Sequence, residues 1–261
     1  MNITYKNPGY NHSIESISLF LTGDETAFWS APIQRFYPQI DKQVLMSYSR
    51  SDKQKYLSDV FESIYLDLKE ELEGKVINYN DHFQSHKQQI EHALSDAFDL
   101  DASCVFNDLT GNVTLNPIYP RFLKEHYFDV FYMNSERGAL GLSLHEVIHY
   151  FWFHVWNGHF GDNYDEYETP SLKWILSEMV VETIMSDKRL SSLNPYFPKE
   201  NGGCIYPYFQ NMIVDGFPIL DTIDALYHRN SITEFMEEAY AYCIKYENEI
   251  RKHIKVAETN Y

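Results

Sequence analysis

The chain has 261 residues, enough for one large or two small domains with a sizeable hydrophobic core. Its formal net charge of −17 argues against nucleic acid as a partner, because phosphate binding needs a basic surface. Hydrophobic residues make up 44% of the chain and aromatic residues 16%, so the composition indicates a folded globular protein rather than a disordered one.

The cysteines and the apolar segments indicate in which cellular compartment the protein is expected. Cys104, Cys204 and Cys243 are far apart and lack C-x-x-C spacing, a pattern typical of free thiols in a reducing compartment. The chain does not open with a basic segment followed by an apolar core, and it contains no run of 18 apolar residues. We therefore expect a cytoplasmic protein without a membrane span.

Residues 1–100 are predicted to form a mainly helical N-terminal lobe. Alternating apolar residues over Ile14–Thr22 favour a strand. From about Ser51 the apolar residues recur at helical spacing, and Gly74 is predicted to end that helix. A second helix is predicted over His82–Phe98. Its expected buried residues are Ile90, Leu94, Ala97 and Phe98.

Residues 101–133 change character, with short aromatic and β-branched segments separated by turn residues. This pattern predicts a small β-sheet that includes Val105–Phe106. Tyr127–Met133 is the candidate inner strand, and Leu115–Phe122 suits an edge strand because Pro117 and Pro120 cannot donate backbone hydrogen bonds. The sequence leaves open whether the sheet is purely structural.

The centre of the chain carries an H-E-x-x-H motif at His145, Glu146 and His149. Residues four apart lie on the same face of an α-helix, so the two imidazoles can approach one ion. The apolar neighbours along this helix are Leu142, Leu144, Val147, Ile148, Phe151, Trp152, Phe153, Val155 and Trp156. A helix that is apolar all round is buried, and burying the motif is costly unless it is paired or metal-bound. Asn157–Gly158 is predicted to end the helix.

A second apolar helix is predicted downstream, with Thr169 as its N-cap and Pro170 as its first residue. The acidic residues between the two helices predict a solvated loop. Glu178 and Glu182 lie one turn apart on the second helix, and buried carboxylates repel unless a cation or proton sits with them. We predict Glu178 as the third metal ligand. Glu182 is predicted to accept a hydrogen bond from the outer nitrogen of a ligating histidine.

This residue set favours zinc chemistry. Zn²⁺ held by two histidines and one carboxylate keeps a fourth position open and lowers the pKa of water bound there to about 7. Glu146 lies beside the ligand face, where it is predicted to act as general base and then as general acid while the water attacks a carbonyl.

The motif resembles the gluzincin branch of zinc metallopeptidases, over about residues 125 to 190. The matching positions are His145, Glu146, His149, Glu178 and Glu182. The resemblance implies a zincin-like core, a peptide or protein substrate, and an edge strand that pairs with the substrate backbone. The spacing from His149 to Glu178 differs from that of the aminopeptidase group. Trp152 and Val155 occupy the glycine and histidine positions of the extended metzincin motif, so no particular family is identified.

Residues 191–261 are predicted to form a C-terminal helical lobe, with an irregular aromatic segment first and a long helix last. That helix is expected to begin at Ser231, where Glu234 completes a capping box, and to run to about Lys255. Hydrolysis of an amide also needs a donor for the oxyanion. The candidates, which the sequence cannot rank, are Tyr206, Tyr208, Tyr227 and His228.

The expected fold is α+β and mostly helical, a zincin-like metallopeptidase core with a small β-sheet and extra N- and C-terminal helices. One compact unit over 1–261 is predicted, with lobes at 1–100, 101–190 and 191–261. The expected function is that of a zinc-dependent peptidase without nucleic-acid or membrane partners. Open alternatives are a scaffold that binds peptides or regulates without turnover, a zinc hydrolase of a non-peptide amide, and a full-length form that is autoinhibited.

Overall fold

The structure, a computed structural model, describes residues 1–23, 26–162, 169–198 and 205–258. Helices account for most of these residues, and the strands form one four-stranded and one two-stranded sheet. The protein is therefore α+β and mostly helical, as predicted. Within these ranges no helix combines the length and the low polarity that crossing a bilayer requires.

The chain divides into two compact units. The sheet unit comprises residues 2–85 and 106–143, and the helical unit comprises Met1 and residues 86–105 and 144–261. Two long helices, residues 50–98 and 136–160, contribute residues to both units.

The sheet unit contains a four-stranded sheet. Its strands are β1 (Ile3–Lys6), β2 (Leu109–Thr114), β3 (Arg121–Phe122) and β4 (Tyr127–Phe131). The strand order is β1-β2-β4-β3, in which β1, β2 and β4 run parallel and β3 pairs antiparallel with β4. β4 is an inner strand and β3 an edge strand, as predicted for the segments that contain them. Val105–Phe106, predicted as a strand, lies outside the sheet. β1 was not predicted, because its four residues are too few for an alternating pattern to be recognised.

The helices that begin in the sheet unit differ from the predictions at two places. They are α1 (Tyr10–Leu21), α2 (Thr26–Phe36), α3 (Lys42–Ser47) and α4 (Arg50–Phe98). The strand predicted over Ile14–Thr22 is wrong, since most of that segment belongs to α1. Its buried apolar residues, Ile14, Ile17 and Leu21, follow helical spacing, whereas Leu19 is 58% exposed. The same short run of apolar residues fits both the two-residue period of a strand and the 3.6-residue period of a helix. In the folded chain it forms the helix.

The second difference is in α4, which continues through Gly74 to Phe98. A glycine inside a helix costs about 1 kcal/mol relative to alanine, and the surrounding good helix formers offset that cost. Near the start of α4 the buried residues are Leu57, Phe61 and Tyr65. The face predicted for its last turns is confirmed, because Ile90, Leu94, Ala97 and Phe98 are buried.

The pairing of β1 with β2 brings Tyr5 onto Gly111. A Cβ atom at Gly111 would lie 2.6 Å from Cδ1 of the Tyr5 ring, so this position has no room for a side chain. The Tyr5 hydroxyl donates to Oγ of Ser143 at 2.7 Å, and Ser143 donates to the carbonyl oxygen of Ala139 at 2.8 Å. Burial raises the pKa of the Tyr5 hydroxyl, which therefore stays a donor.

The helical unit includes the last part of α4, most of α5 and all the elements that follow. These are α5 (Glu136–Phe160), α6 (Leu172–Met185), α7 (Lys188–Ser191), α8 (Pro207–Gln210), β5 (Ile213–Val214), β6 (Phe217–Pro218), α9 (Ile219–Arg229), α10 (Ile232–Lys245) and α11 (Glu247–Glu258). α6 packs against α9 and α10, which also pack against each other. α6 is therefore packed against at least two other helices of this unit.

The helix predicted from Ser231 to Lys255 is divided in two. The capping box is confirmed: Ser231 accepts from the backbone N–H of Glu234, whose carboxylate accepts from the backbone N–H of Ser231 at 3.1 Å. α10 ends before Tyr246, which leaves the helical conformation at φ −111° and ψ 18°. Its hydroxyl donates to Asp215 at 2.5 Å. This tertiary contact accompanies the break and is not visible in local sequence.

Candidate metal centre

α5 presents the H-E-x-x-H motif inside a layer of large apolar side chains. Those that are nearly inaccessible to solvent are Leu144, Val147, Ile148, Phe151, Trp152, Phe153 and Trp156. The residues of the motif are buried as well: His145 is 8% exposed, Glu146 6% and His149 0%. The predicted burial of the motif is therefore confirmed.

The end of α5 lies beyond the predicted stop. Gly158 is inside the helix, which continues to Phe160. Gly161 adopts φ +65° and its N–H donates to the carbonyl oxygen of Asn157 at 2.8 Å. A left-handed glycine does end the helix, but it is the next glycine along the chain.

The two histidines meet through the same ring atom. Nε2 of His145 lies 3.1 Å from Nε2 of His149, and the ring planes are inclined at 63°. Two nitrogens bound tetrahedrally to one zinc lie about 3.3 Å apart, which is close to this separation. The distance also suits an N–H···N hydrogen bond, so the histidine pair alone does not identify an ion.

Glu178 adds a carboxylate that contacts both rings. It belongs to α6, whose N-cap is Ser171 rather than the predicted Thr169. One oxygen of Glu178 lies 3.6 Å from Nε2 of His145, and the other lies 3.5 Å from Nε2 of His149. These distances are long for hydrogen bonds but match the spacing of ligands around a shared ion. Glu178 therefore lies beside both imidazoles, while its role as a metal ligand stays a prediction.

Glu146 supplies a second carboxylate beside the same rings. Its Oε1 lies 3.9 Å from Nε2 of His145, and one donor atom each from His145, Glu146 and His149 fall within 4.8 Å of one another. Distance alone would thus admit Glu146 as a ligand. The Glu178 oxygens lie 3.6 and 3.5 Å from the two Nε2 atoms, so both carboxylates are candidate ligands.

Glu182 lies one turn after Glu178 on α6. Both of its carboxylate oxygens are inaccessible to solvent. Its hydrogen bond to the outer nitrogen of a ligating histidine stays a prediction. With Glu146 and Glu178, this region of the helical unit holds three buried or largely buried carboxyl groups. Clustered carboxylates favour a bound cation or a proton between them.

The donor set fits a zinc-type ion. Two imidazole nitrogens and one carboxylate form a compact group, with side-chain exposures of 10% for His145, 0% for His149 and 3% for Glu178. Imidazole and carboxylate are ligands that Zn²⁺ accepts, and three protein ligands leave one coordination position for another molecule. The arrangement can therefore bind a divalent cation in a poorly hydrated environment.

The four candidates for an oxyanion donor have different surroundings. The Tyr206 ring packs edge-on against Trp174 of α6, at 5.6 Å, and stacks on Tyr208 at 5.2 Å. Burial raises the pKa of Tyr227 to about 12, so its hydroxyl is a donor at neutral pH. The His228 side chain is 62% exposed. Tyr206 and Tyr208 thus lie near the helix that carries Glu178, while the catalytic role of all four stays a prediction.

Asp162 has a role that the sequence did not indicate. The prediction of a solvated loop is wrong for this residue, and residues 163–168 lie outside the described part of the chain. One carboxylate oxygen of Asp162 accepts from the indole N–H of Trp156 and, at 2.7 Å, from the ammonium group of Lys173. Trp156 belongs to α5 and Lys173 to α6, so Asp162 links the two helices that carry the donor residues.

Comparisons with known proteins assign no family to the chain. No protein-family model matches it, and neither the curated proteins nor the solved structures include a significant match. The function is therefore inferred from the grouped side chains of His145, Glu146, His149 and Glu178.

Proposed function

We propose that the chain is a zinc-dependent peptidase with a zincin-like core, in which His145, His149 and Glu178 hold the ion. One observation carries this proposal. The Nε2 atoms of the histidines are 3.1 Å apart, and the Glu178 carboxylate lies 3.5 and 3.6 Å from them. Two imidazoles and a carboxylate are a donor set that catalytic zinc sites use.

A zinc ion bound here would polarise a carbonyl group and lower the pKa of water to about 7. Glu146 is the proposed general base, because its Oε1 lies 3.9 Å from Nε2 of His145, beside the ligand group. It takes a proton from the attacking water on a carboxylate oxygen and returns it to the nitrogen that leaves. Its 6% exposure keeps bulk water away from this transfer. The proposed substrates are peptides or proteins.

The proposed ligand set is that of a catalytic rather than a structural site. Structural zinc sites are closed by four protein ligands, whereas the proposed assignment of Glu146 as a base leaves three ligands, as in catalytic sites. A site that only stabilised the fold would have no use for a further buried carboxylate, whose desolvation is costly. This argument favours turnover over a binding scaffold.

The direct test compares the wild type with Glu146→Gln on a panel of peptides, with zinc measured by elemental analysis. Glutamine keeps the shape of the side chain but cannot accept the proton. We expect unchanged zinc content and a loss of turnover of about 100-fold or more, since general bases contribute about 10² to 10⁴ in rate.

His149→Ala serves as the matched control and is expected to lose both zinc and turnover. Equal turnover by the wild type and Glu146→Gln would contradict the assigned base. A wild-type protein that takes up no zinc would contradict the whole proposal.

A further inference from the structure

The three proposed ligands come from two helices joined by a short segment. His145 and His149 lie on α5, and Glu178 lies on α6. Their mutual distances therefore depend on how the end of α5 is held against the start of α6. Ligand distances in metal sites lie within about 0.2 Å of standard values, so a residue that fixes this junction is expected to affect the binding of the ion.

Asp162 is placed at that junction. Trp156 lies two turns after His149 on the same side of α5, and Lys173 is the second residue of α6. Both donate to the same Asp162 oxygen, Lys173 at 2.7 Å. The three residues, Trp156, Asp162 and Lys173, are called the junction clamp below.

The junction clamp is largely shielded from water. The side chains of Asp162 and Lys173 are 20% and 13% exposed, and Trp156 is 1% exposed. Burial of Asp162 opposes its ionisation, but the hydrogen bonds from Lys173 and Trp156 outweigh that effect and lower its pKa. The carboxylate is therefore charged at neutral pH, and an ion pair this far from solvent is screened less by salt than an exposed one.

We propose that Asp162 is a positioning residue for the metal centre. By holding Lys173 and Trp156 together, it fixes α6 against α5 and so sets the separation between the Glu178 carboxylate and the two imidazoles. This inference rests on the metal-binding part of the proposed function and does not depend on peptide hydrolysis.

The test measures zinc affinity by competition with a chelator, and the absorption spectrum of the cobalt-substituted protein. Asp162→Asn keeps the shape of the side chain but loses the charge that Lys173 needs. Lys173→Met removes the other partner. Each is expected to weaken zinc binding about tenfold, within the range known for residues that orient ligands, and to change the cobalt spectrum. The double variant is expected to lose less zinc-binding free energy than the sum of the losses in the two single variants, because the two residues act through one contact.

Asp187→Asn is the control for general destabilisation. Asp187 is 29% exposed and accepts from Arg189 at 2.8 Å, so its environment is similar, but the pair does not join α5 to α6. This variant is expected to unfold more readily while its zinc affinity and cobalt spectrum stay at the wild-type values.

The outcomes separate the two proposals. A wild-type protein that binds neither metal would overturn the metal centre itself. Tight binding by the wild type, with unchanged affinity and spectrum in Asp162→Asn and Lys173→Met, would overturn only the role of the junction clamp. Equal weakening by Asp187→Asn and Asp162→Asn would also overturn it, because the effect would then be one of stability.

Discussion

Glu178 and Glu182 occupy successive turns of α6, yet their surroundings differ. Glu178 has one oxygen near each imidazole, at 3.5 and 3.6 Å, whereas Glu182 has both oxygens enclosed one turn away. A ligand and a residue that orients a ligand should respond differently to removal, because only the first takes a coordination position from the ion.

The two glutamates can be separated by truncating each to alanine. Glu178→Ala is expected to bind no stoichiometric zinc. Glu182→Ala is expected to bind one ion per chain with an affinity lowered about 10- to 100-fold, as for other residues that orient ligands. Zinc content after dialysis, followed by a titration, distinguishes the two results. Retention of zinc by Glu178→Ala with loss by Glu182→Ala would reverse the assignment.

At the residue scale the sequence predicted which side chains are grouped, while their role as metal ligands stays a prediction. The spacing of His145 and His149 fixes their common face by helix geometry, and two acidic residues on an apolar helix indicated Glu178. Asp162 escaped prediction because its partners, Trp156 and Lys173, are brought to it by the tertiary fold. An acidic segment between helices is ordinarily solvated, so composition favoured the wrong interpretation.

Several features of the helices could be predicted from local sequence patterns, and others could not. Burial of α5 followed from its apolar residues, and the capping box at Ser231 followed from its spacing to Glu234. The stop predicted at Gly74 failed because one glycine is a weak helix breaker. The break at Tyr246 is accompanied by a hydrogen bond to Asp215, which lies far away in the sequence.

The capping box at the start of α10 provides a test at the level of the helix. Ser231→Ala removes the acceptor for the Glu234 N–H, and the free energy of unfolding is expected to fall by about 1 kcal/mol. Urea unfolding measures the difference. Ser47→Ala is the control, because that exposed hydroxyl donates to Val44 within its own helix and caps no N–H group. Equal losses in the two variants would contradict a specific capping effect.

For the molecule as a whole, the inner and edge positions of β4 and β3 could be inferred from residue type and proline placement. The parallel pairing of β1 with β2 could not. It joins Ile3 to Leu109, and nothing in either segment specifies a partner so distant along the chain. The division into two units is likewise a product of long-range contacts.

Stability in acid is a property of the whole chain to which Asp162 and Asp187 contribute. Hydrogen bonds with Lys173 and Trp156 lower the pKa of Asp162, and those with Arg189 lower the pKa of Asp187, both below the ordinary value of 3.8. The unfolded chain thus binds protons first as the pH falls. The stabilisation from these groups is complete above the ordinary pKa and is lost as the pH falls through the lower, folded value.

We therefore expect the free energy of unfolding to decrease as the pH is lowered from about 5 to about 3. Urea unfolding at several pH values measures this slope. Comparing Asp187→Asn with the wild type cancels the titration of the other carboxyl groups, and the variant is expected to show the shallower slope. Identical slopes would contradict the contribution assigned to Asp187.

The contact between Tyr5 and Gly111 also constrains how this sequence can vary. Even a methyl group at position 111 would overlap the Tyr5 ring. Moving that ring would break the hydrogen bond from the Tyr5 hydroxyl to Ser143. The three positions therefore form a linked set, in which replacement of the glycine becomes tolerable only together with a smaller residue at position 5. Variation in this sheet is then expected to be concerted rather than independent.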